Sequence, residues 1–147
     1  MPLEQTLEWF KAAKPNPTDK DLIVQTGCHF EEVVEMLDCA VGASFFEASL
    51  IIEAKKALHA LAEHMKSSPL GYTMGKYDPV ALLDSLADQN VTGAGVAYMA
   101  GMDMIGAMRE VNRSNFSKFE DGKPVFKDTG KIGKGKNYTE PDLKPFV

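Results

Sequence analysis

The sequence predicts an all-α fold. Three observations carry that prediction: long stretches repeat apolar residues at three- and four-residue spacing, no stretch alternates as a strand would, and the breaks between them hold helix start and stop signals. The simplest arrangement of such elements is a bundle of four principal helices.

Leu3 to Lys14 forms a short first helix, ended by "KPNP" because proline lacks the amide that would continue it. Thr18 or Asp19 caps a second helix, periodic from about Leu22 to Val41, with Phe30, Val33, Val34, Leu37 and Val41 on one stripe. After "VGAS" a third runs from Phe45 to Met65, its apolar stripe being Phe46, Leu50, Ala54, Ala57 and Leu61. The loop "SSPLGYTMGKY" closes on Asp78-Pro79, a cap followed by a first-turn proline, and a fourth helix continues to about Ala100. Met104 to Arg113 is the fifth. From about Phe116 onward glycines, prolines and scattered lysines imply an extended tail.

The 147 residues fit one domain, 1–147, with 116–147 as its tail. A chain of this size can bury roughly 68–70% of its unfolded surface. No apolar run approaches the ~18 residues of a membrane span, and "MPLEQTLEWF" lacks the basic start and apolar core of a signal peptide, so the expected address is cytoplasmic, with no membrane partner. Cys28 and Cys39, on one helix, would stand about 16 Å apart and cannot bridge within the chain. His59 and His64, five apart, turn to different sides of a helix, which argues against zinc.

Residues 1–108 hold 7 Lys and Arg against 15 Asp and Glu, whereas 109–147 hold 9 against 6. An acidic body repels nucleic acid, and the basic tail lacks the interleaved aromatics of a single-strand binder. Polymeric nucleic acid is therefore not the expected partner; a small polyphosphate, bridged to the acids by a cation, suits this distribution better.

Two groups of acids stand out. "HFEEVVEMLD" places Glu31, Glu35 and Asp38 opposite the apolar stripe of the second helix with Glu32 at its border. On the fourth helix Asp84 and Asp88 lie one turn apart, and from Gln89 to Met102 there is no charged residue, so this helix is expected to be buried all round. Aspartates at the mouth of a buried helix need a cation. With Lys and Arg sparse on both helices, a divalent metal is the economical partner, and oxygen ligands favour Mg²⁺ or Mn²⁺. The alternative is a solvated acidic face with Asp84 and Asp88 capped by tail lysines.

Other patterns fail on inspection. "GKIGKGKN" meets GxxxxGK at Gly130, Gly135 and Lys136, but Asn137 stands where a P-loop has Ser or Thr, and no strand precedes it. "GAGVAYMAG" misplaces the third glycine of a dinucleotide fingerprint, and Gly93, Gly95 and Gly101 are expected to permit close helix packing instead. Trp9 suits a core or interface position; His29, beside the acids, either touches substrate or is hydrogen-bonded for structure.

"EEVVE", a later "DSLAD", and then "EVNRSNFSKFEDGKPVFKDTGKIGKGKNYTEPDL" together resemble the all-α nucleotide pyrophosphohydrolases of the MazG and phosphoribosyl-ATP pyrophosphohydrolase-like superfamily, over about Gln25 to Leu143. The likeness is greatest to small bacterial and phage members. It implies a four-helix-bundle-like MazG-type fold in which EExxE and a later ExxD hold Mg²⁺ ions and a nucleoside triphosphate. Glu31, Glu32 and Glu35 match the first motif. In the second, Ser85 replaces the glutamate, and Asp84, one residue earlier on the same helical face, takes its place beside Asp88.

By the same resemblance Asn112, Asn115 and Lys118 contact substrate, Lys118 reaching the phosphates, while Lys131, Lys134, Lys136 and Tyr138 close over the site. The tail's other possible role is a solvated arm or an intersubunit strap. The implied reaction is the Mg²⁺-dependent (or Mn²⁺-dependent) hydrolysis of a (d)NTP to the monophosphate and pyrophosphate. Glu31 is the expected base, itself among the ligands Glu31, Glu32, Glu35, Asp84 and Asp88, and the implied assembly is a homodimer or homotetramer. Two alternatives stand beside it: phosphoribosyl-ATP as the substrate, and a non-catalytic helical interaction module.

Overall fold

The computed structural model describes residues 1–128 and 132–147. Its five α-helices are α1 (Pro2–Ala13), α2 (Asp19–Leu37), α3 (Phe45–Ser67), α4 (Pro79–Met99) and α5 (Met104–Phe116), with short 3₁₀ turns at Pro69–Gly71 and Lys144–Phe146. The bridges Glu120–Lys123 and Phe126–Ile132 are isolated and build no strand among the described residues, so the chain is all-α. None of its described helices is long and apolar enough to cross a membrane.

The chain divides into two compact units, one of residues 17–83 and one of residues 1–16 with 84–147. In the first, Thr18 caps α2: its Oγ1 accepts from the Asp21 amide at 3.2 Å and the Asp21 carboxylate accepts from the Thr18 amide at 3.0 Å, a reciprocal pair that satisfies two otherwise orphaned donors. Helix α3 returns antiparallel to α2, since Gly27 lies against Ala62 and Lys66 while Asp38, at the other end, meets Lys55. Ile23 and Gly27 of α2 and Ala62 and Met65 of α3 are its buried residues. The helices approach closely at Gly27: a Cβ there would stand 2.8 Å from the Ala62 carbonyl oxygen and 3.3 Å from the Met65 Cβ.

The stripe expected to bury α3 is not the one it buries. Phe46, Leu50 and Leu61 are 68%, 49% and 37% exposed, and the helix packs instead through Ala62 and Met65, about a third and a sixth of a turn from the middle of that stripe. Helix α3 is apolar on more than one side, so periodicity alone could not choose between the sides.

In the second unit α1 docks on α5. Trp9 Nε1 donates to the Asn115 carbonyl (2.9 Å), Thr6 Oγ1 donates to Asn112 Oδ1 (2.9 Å), and Asn112 Nδ2 donates to the Pro2 carbonyl (2.7 Å). The Trp9 ring stacks on buried Phe119, with centroids 5.8 Å apart. Asp103 caps α5 through the Gly106 amide, and its own amide donates to the Phe146 carbonyl.

The segment after α5 has little regular structure and is nonetheless held to it. Ser114 Oγ donates to the Thr139 carbonyl, the Thr139 amide donates to Ser117 Oγ, and the Asp142 amide donates to Glu110.

Helix α4 departs furthest from expectation. Expected to be buried all round, it has no buried residue: Val80, Leu83, Val91, Tyr98 and Met99 are all 69–87% exposed. The close packing expected of its glycines is not seen among the described residues: a Cβ at Gly93 or Gly95, or at Gly101 just past the helix, would meet nothing within 4 Å.

Candidate functional site

Residues 31 to 35 belong to the middle of α2, where helical geometry sets Glu31 and Glu35 one turn apart on one face. Glu31 is half-buried and engaged: Lys66, reaching from α3 with only 10% of its side chain exposed, places Nζ 2.9 Å from Glu31 Oε1 and 2.5 Å from Glu63. Burial is the largest single influence on Lys66 and lowers its pKa, but hydrogen bonds and charges from Glu63 and Glu31 together raise it above the usual value. At the end of α2, Asp38 pairs with Lys55.

The cations for these acids therefore come from α3. Neither lysine was singled out in the sequence, because the pairing depends on the antiparallel register of two helices. The signal that could have found them is Gly27, whose missing side chain marks the point where α3 must cross.

Glu32 and Glu35 are exposed. Glu35 has no ion pair or side-chain hydrogen bond among the described residues, and the same is true of the Asp84 and Asp88 carboxylates, which are exposed on α4 and belong to the other unit. All five proposed ligands are carboxylates, the donors a hard divalent cation takes. Among the described residues, no group of three His, Cys, Asp or Glu side chains that could hold an ion is found.

The five substrate positions all lie in the second unit. Asn112 is buried, and its amide is occupied by Thr6 and Pro2, so it fastens α1 to α5. Asn115 does the same through its carbonyl and accepts from Lys118 Nζ at 2.7 Å through Oδ1, while Lys118 also lies 5.9 Å above the Trp9 ring. Lys134 stands 3.5 Å from Glu140 and 4.4 Å above the Tyr138 ring, and the Lys136 amide donates to Glu120. Lys131 and Gly130 lie outside the described residues.

Beside Asn112, α1 and α5 border an open cleft of about 350 Å³ lined by Met1, Gln5, Arg109, Asn112, Arg113 and Phe116. Arg113 is already held by Glu110, Thr139 and the Glu140 carbonyl. Arg109 has no ion pair among the described residues and is the cleft's available cation. It belongs to no motif and was missed for that reason.

Compared with known protein families, with curated proteins and with solved structures, the chain has no match.

Proposed function

We propose that the chain is a nucleoside triphosphate pyrophosphohydrolase with a MazG-type fold, converting a (d)NTP and water to the (d)NMP and pyrophosphate, with Mg²⁺ as cofactor and Mn²⁺ able to replace it. The observation that best supports this reading is the contrast among the acids. Glu35, Asp84 and Asp88, at the positions of the two acidic motifs, have no cationic partner among the described residues, whereas Glu31, Asp38 and Glu110 are each matched by a lysine or arginine.

In this reading a water attacks the triphosphate chain, one phosphoanhydride bond breaks, and the water's proton passes to Glu31. Lys66 holds Glu31 through Oε1 and so orients its other oxygen. Lys118 and Lys134 meet phosphate oxygens by exchanging Asn115 and Glu140 for substrate, and Arg109 adds a third positive charge. The assembly is a homodimer or homotetramer.

A panel of standard and modified NTPs and dNTPs, with phosphoribosyl-ATP among them, tests the reading when incubated with the full chain and Mg²⁺ or Mn²⁺. Pyrophosphate and monophosphate are expected to appear together and to vanish in EDTA. Orthophosphate with a diphosphate as first products, or full turnover in chelator, would overturn it. Turnover of phosphoribosyl-ATP alone would narrow the substrate to that compound.

The second reading, a non-catalytic helical interaction module, is favoured by the absence of a converging three-ligand set among the described residues. Calorimetry separates the two, since a module of that kind binds no divalent ion.

A further inference from the structure

A lysine is seldom taken out of water without a partner, and Lys66 has two. With a tenth of its side chain exposed, it sets Nζ 2.9 Å from Glu31 Oε1 on α2 and 2.5 Å from Glu63, three residues back on α3. Its reach to α2 depends on Gly27. A Cβ there would stand 2.9 Å from Lys66 Cγ, so the aliphatic stem of Lys66 crosses α2 in the gap that the missing side chain leaves. Gly27 and Glu31 are one helical turn apart on the same face, and the stem that passes Gly27 delivers its ammonium to Glu31, the first acid of EExxE. All of these residues belong to the unit of residues 17–83.

A metal ligand and a general base make competing demands on one carboxylate. The ligand gives its lone pairs to the ion, whereas the base must keep an oxygen for the proton it takes. At Glu31 the geometry favours the second use. A divalent ion taking Oε1 would meet a positive charge already seated on that oxygen. The other oxygen has no ion pair or side-chain hydrogen bond among the described residues.

We propose that Lys66 is a positioning residue that divides the work among the acids: it takes the place of a metal ion at Glu31, withdraws that carboxylate from the ligand set, and holds it as the base. The inference rests on the hydrolase reading and sharpens it, since the motif by itself gives Glu31 both roles.

Steady-state kinetics with Mg²⁺ and the best nucleotide of the panel, together with Mn²⁺ calorimetry in the absence of nucleotide, test it on the full wild-type chain, Glu31→Gln, Lys66→Met and the double variant. Lys66→Met should lower kcat about 100-fold and leave KM within about 3-fold, because Lys66 touches no substrate. The double variant should be no slower than Glu31→Gln alone, since a residue that acts through Glu31 then has nothing left to position. Lys66→Arg, which returns a cation, should restore kcat to within about 10-fold of wild type. With the ammonium gone Glu31 becomes a ligand, so Lys66→Met should bind Mn²⁺ at least about 10-fold more tightly than wild type, a gain that the double variant loses. Lys66→Gln, the milder change with the same expected results, replaces Lys66→Met if the latter lacks the wild-type circular dichroism.

Three results would each overturn the inference and leave the hydrolase standing: wild-type kcat in Lys66→Met, a double variant slower than Glu31→Gln by the full Lys66→Met factor, or Mn²⁺ binding no tighter without the lysine. A wild-type chain that releases pyrophosphate from no nucleotide overturns the hydrolase reading itself, and the positioning role with it.

Discussion

Helix α2 lies against α3 along much of its length, whereas α4, slightly longer and far more apolar, has no buried residue. Both carry the acids of the candidate site. On α2, Glu31 is met by Lys66 and Asp38 by Lys55; on α4, Asp84 and Asp88 meet no cation among the described residues. The more amphipathic helix therefore found its partner within its own unit, and the more uniformly apolar one has no buried residue. An amphipathic face needs one neighbour, whereas a helix apolar on every side needs several.

The largest effect that could break this contrast is catalytic. Asp88→Asn removes a charge that no side-chain contact within the described chain uses, so thermal stability should shift by no more than about 0.5 kcal/mol. Turnover, if Asp88 holds a metal, should fall by at least about 100-fold. Melting and product formation measured on the same variant decide the matter. A protein that is clearly destabilised yet still active would make Asp88 a structural residue and move the site elsewhere.

Glycines sharpen the contrast at the next magnitude down. At Gly27 an added methyl would press on the Ala62 carbonyl, which is backbone and cannot swing aside. Overpacking of this kind costs about 1–3 kcal/mol, against a gain of at most about 1 kcal/mol in helix propensity. Gly27→Ala should therefore lower the melting temperature. A Cβ at Gly93 would meet nothing within 4 Å, so Gly93→Ala should raise stability by roughly 0.5–1 kcal/mol. Opposite signs are expected in denaturant melts. Equal destabilisation would mean that α4 is packed as tightly as α2.

The helices themselves were legible because start signals and periodicity are local. Thr18 caps α2 as its position suggested, Asp78 Oδ1 accepts from the Ala81 amide at the head of α4, and each boundary falls within a few residues of its sequence estimate. What lay across space was not legible. Nothing in the spacing of α3 told that Lys66 would reach Glu31, or that Phe46 and Leu50 would face outward while Ala62 faced in. Asn112 reads from its motif as a substrate contact, yet its amide partners, Thr6 and Pro2, are more than a hundred residues away in sequence. The acids were visible one by one; whether they act together depends on how α2 and α4 are assembled, a property no single helix encodes.

The smallest effect separates two kinds of matched acid, one paired within its own helix and one paired across a hairpin. Glu110 accepts from the Arg113 guanidinium, one turn on, and from the Asp142 amide of the returning tail, and these bonds hold its carboxyl down to about 2. A carboxyl depressed in the folded state stabilises the fold above its unfolded pKa of about 4.3, and that contribution is lost as pH falls from there to about 2.

Lys66 has the opposite sign. Its raised pKa, owed to Glu63 and Glu31 against the opposing pull of burial, stabilises the fold fully below about 10.4 and is lost as pH climbs through the folded value. Trp9, the only tryptophan, reaches from α1 to the Asn115 carbonyl of α5 and reports on the unit that holds Glu110. Glu110→Gln should flatten the acid limb of denaturant midpoints followed by Trp9 fluorescence and leave the alkaline limb seen by circular dichroism intact, and Lys66→Met should do the reverse. The Glu110 change will be slight, because solvent reaches the pair through the exposed Arg113 and screens it. If Glu110→Gln left the acid limb of the Trp9 signal undiminished, the tail would be fastened to α5 by Ser114 and Ser117 rather than by charge.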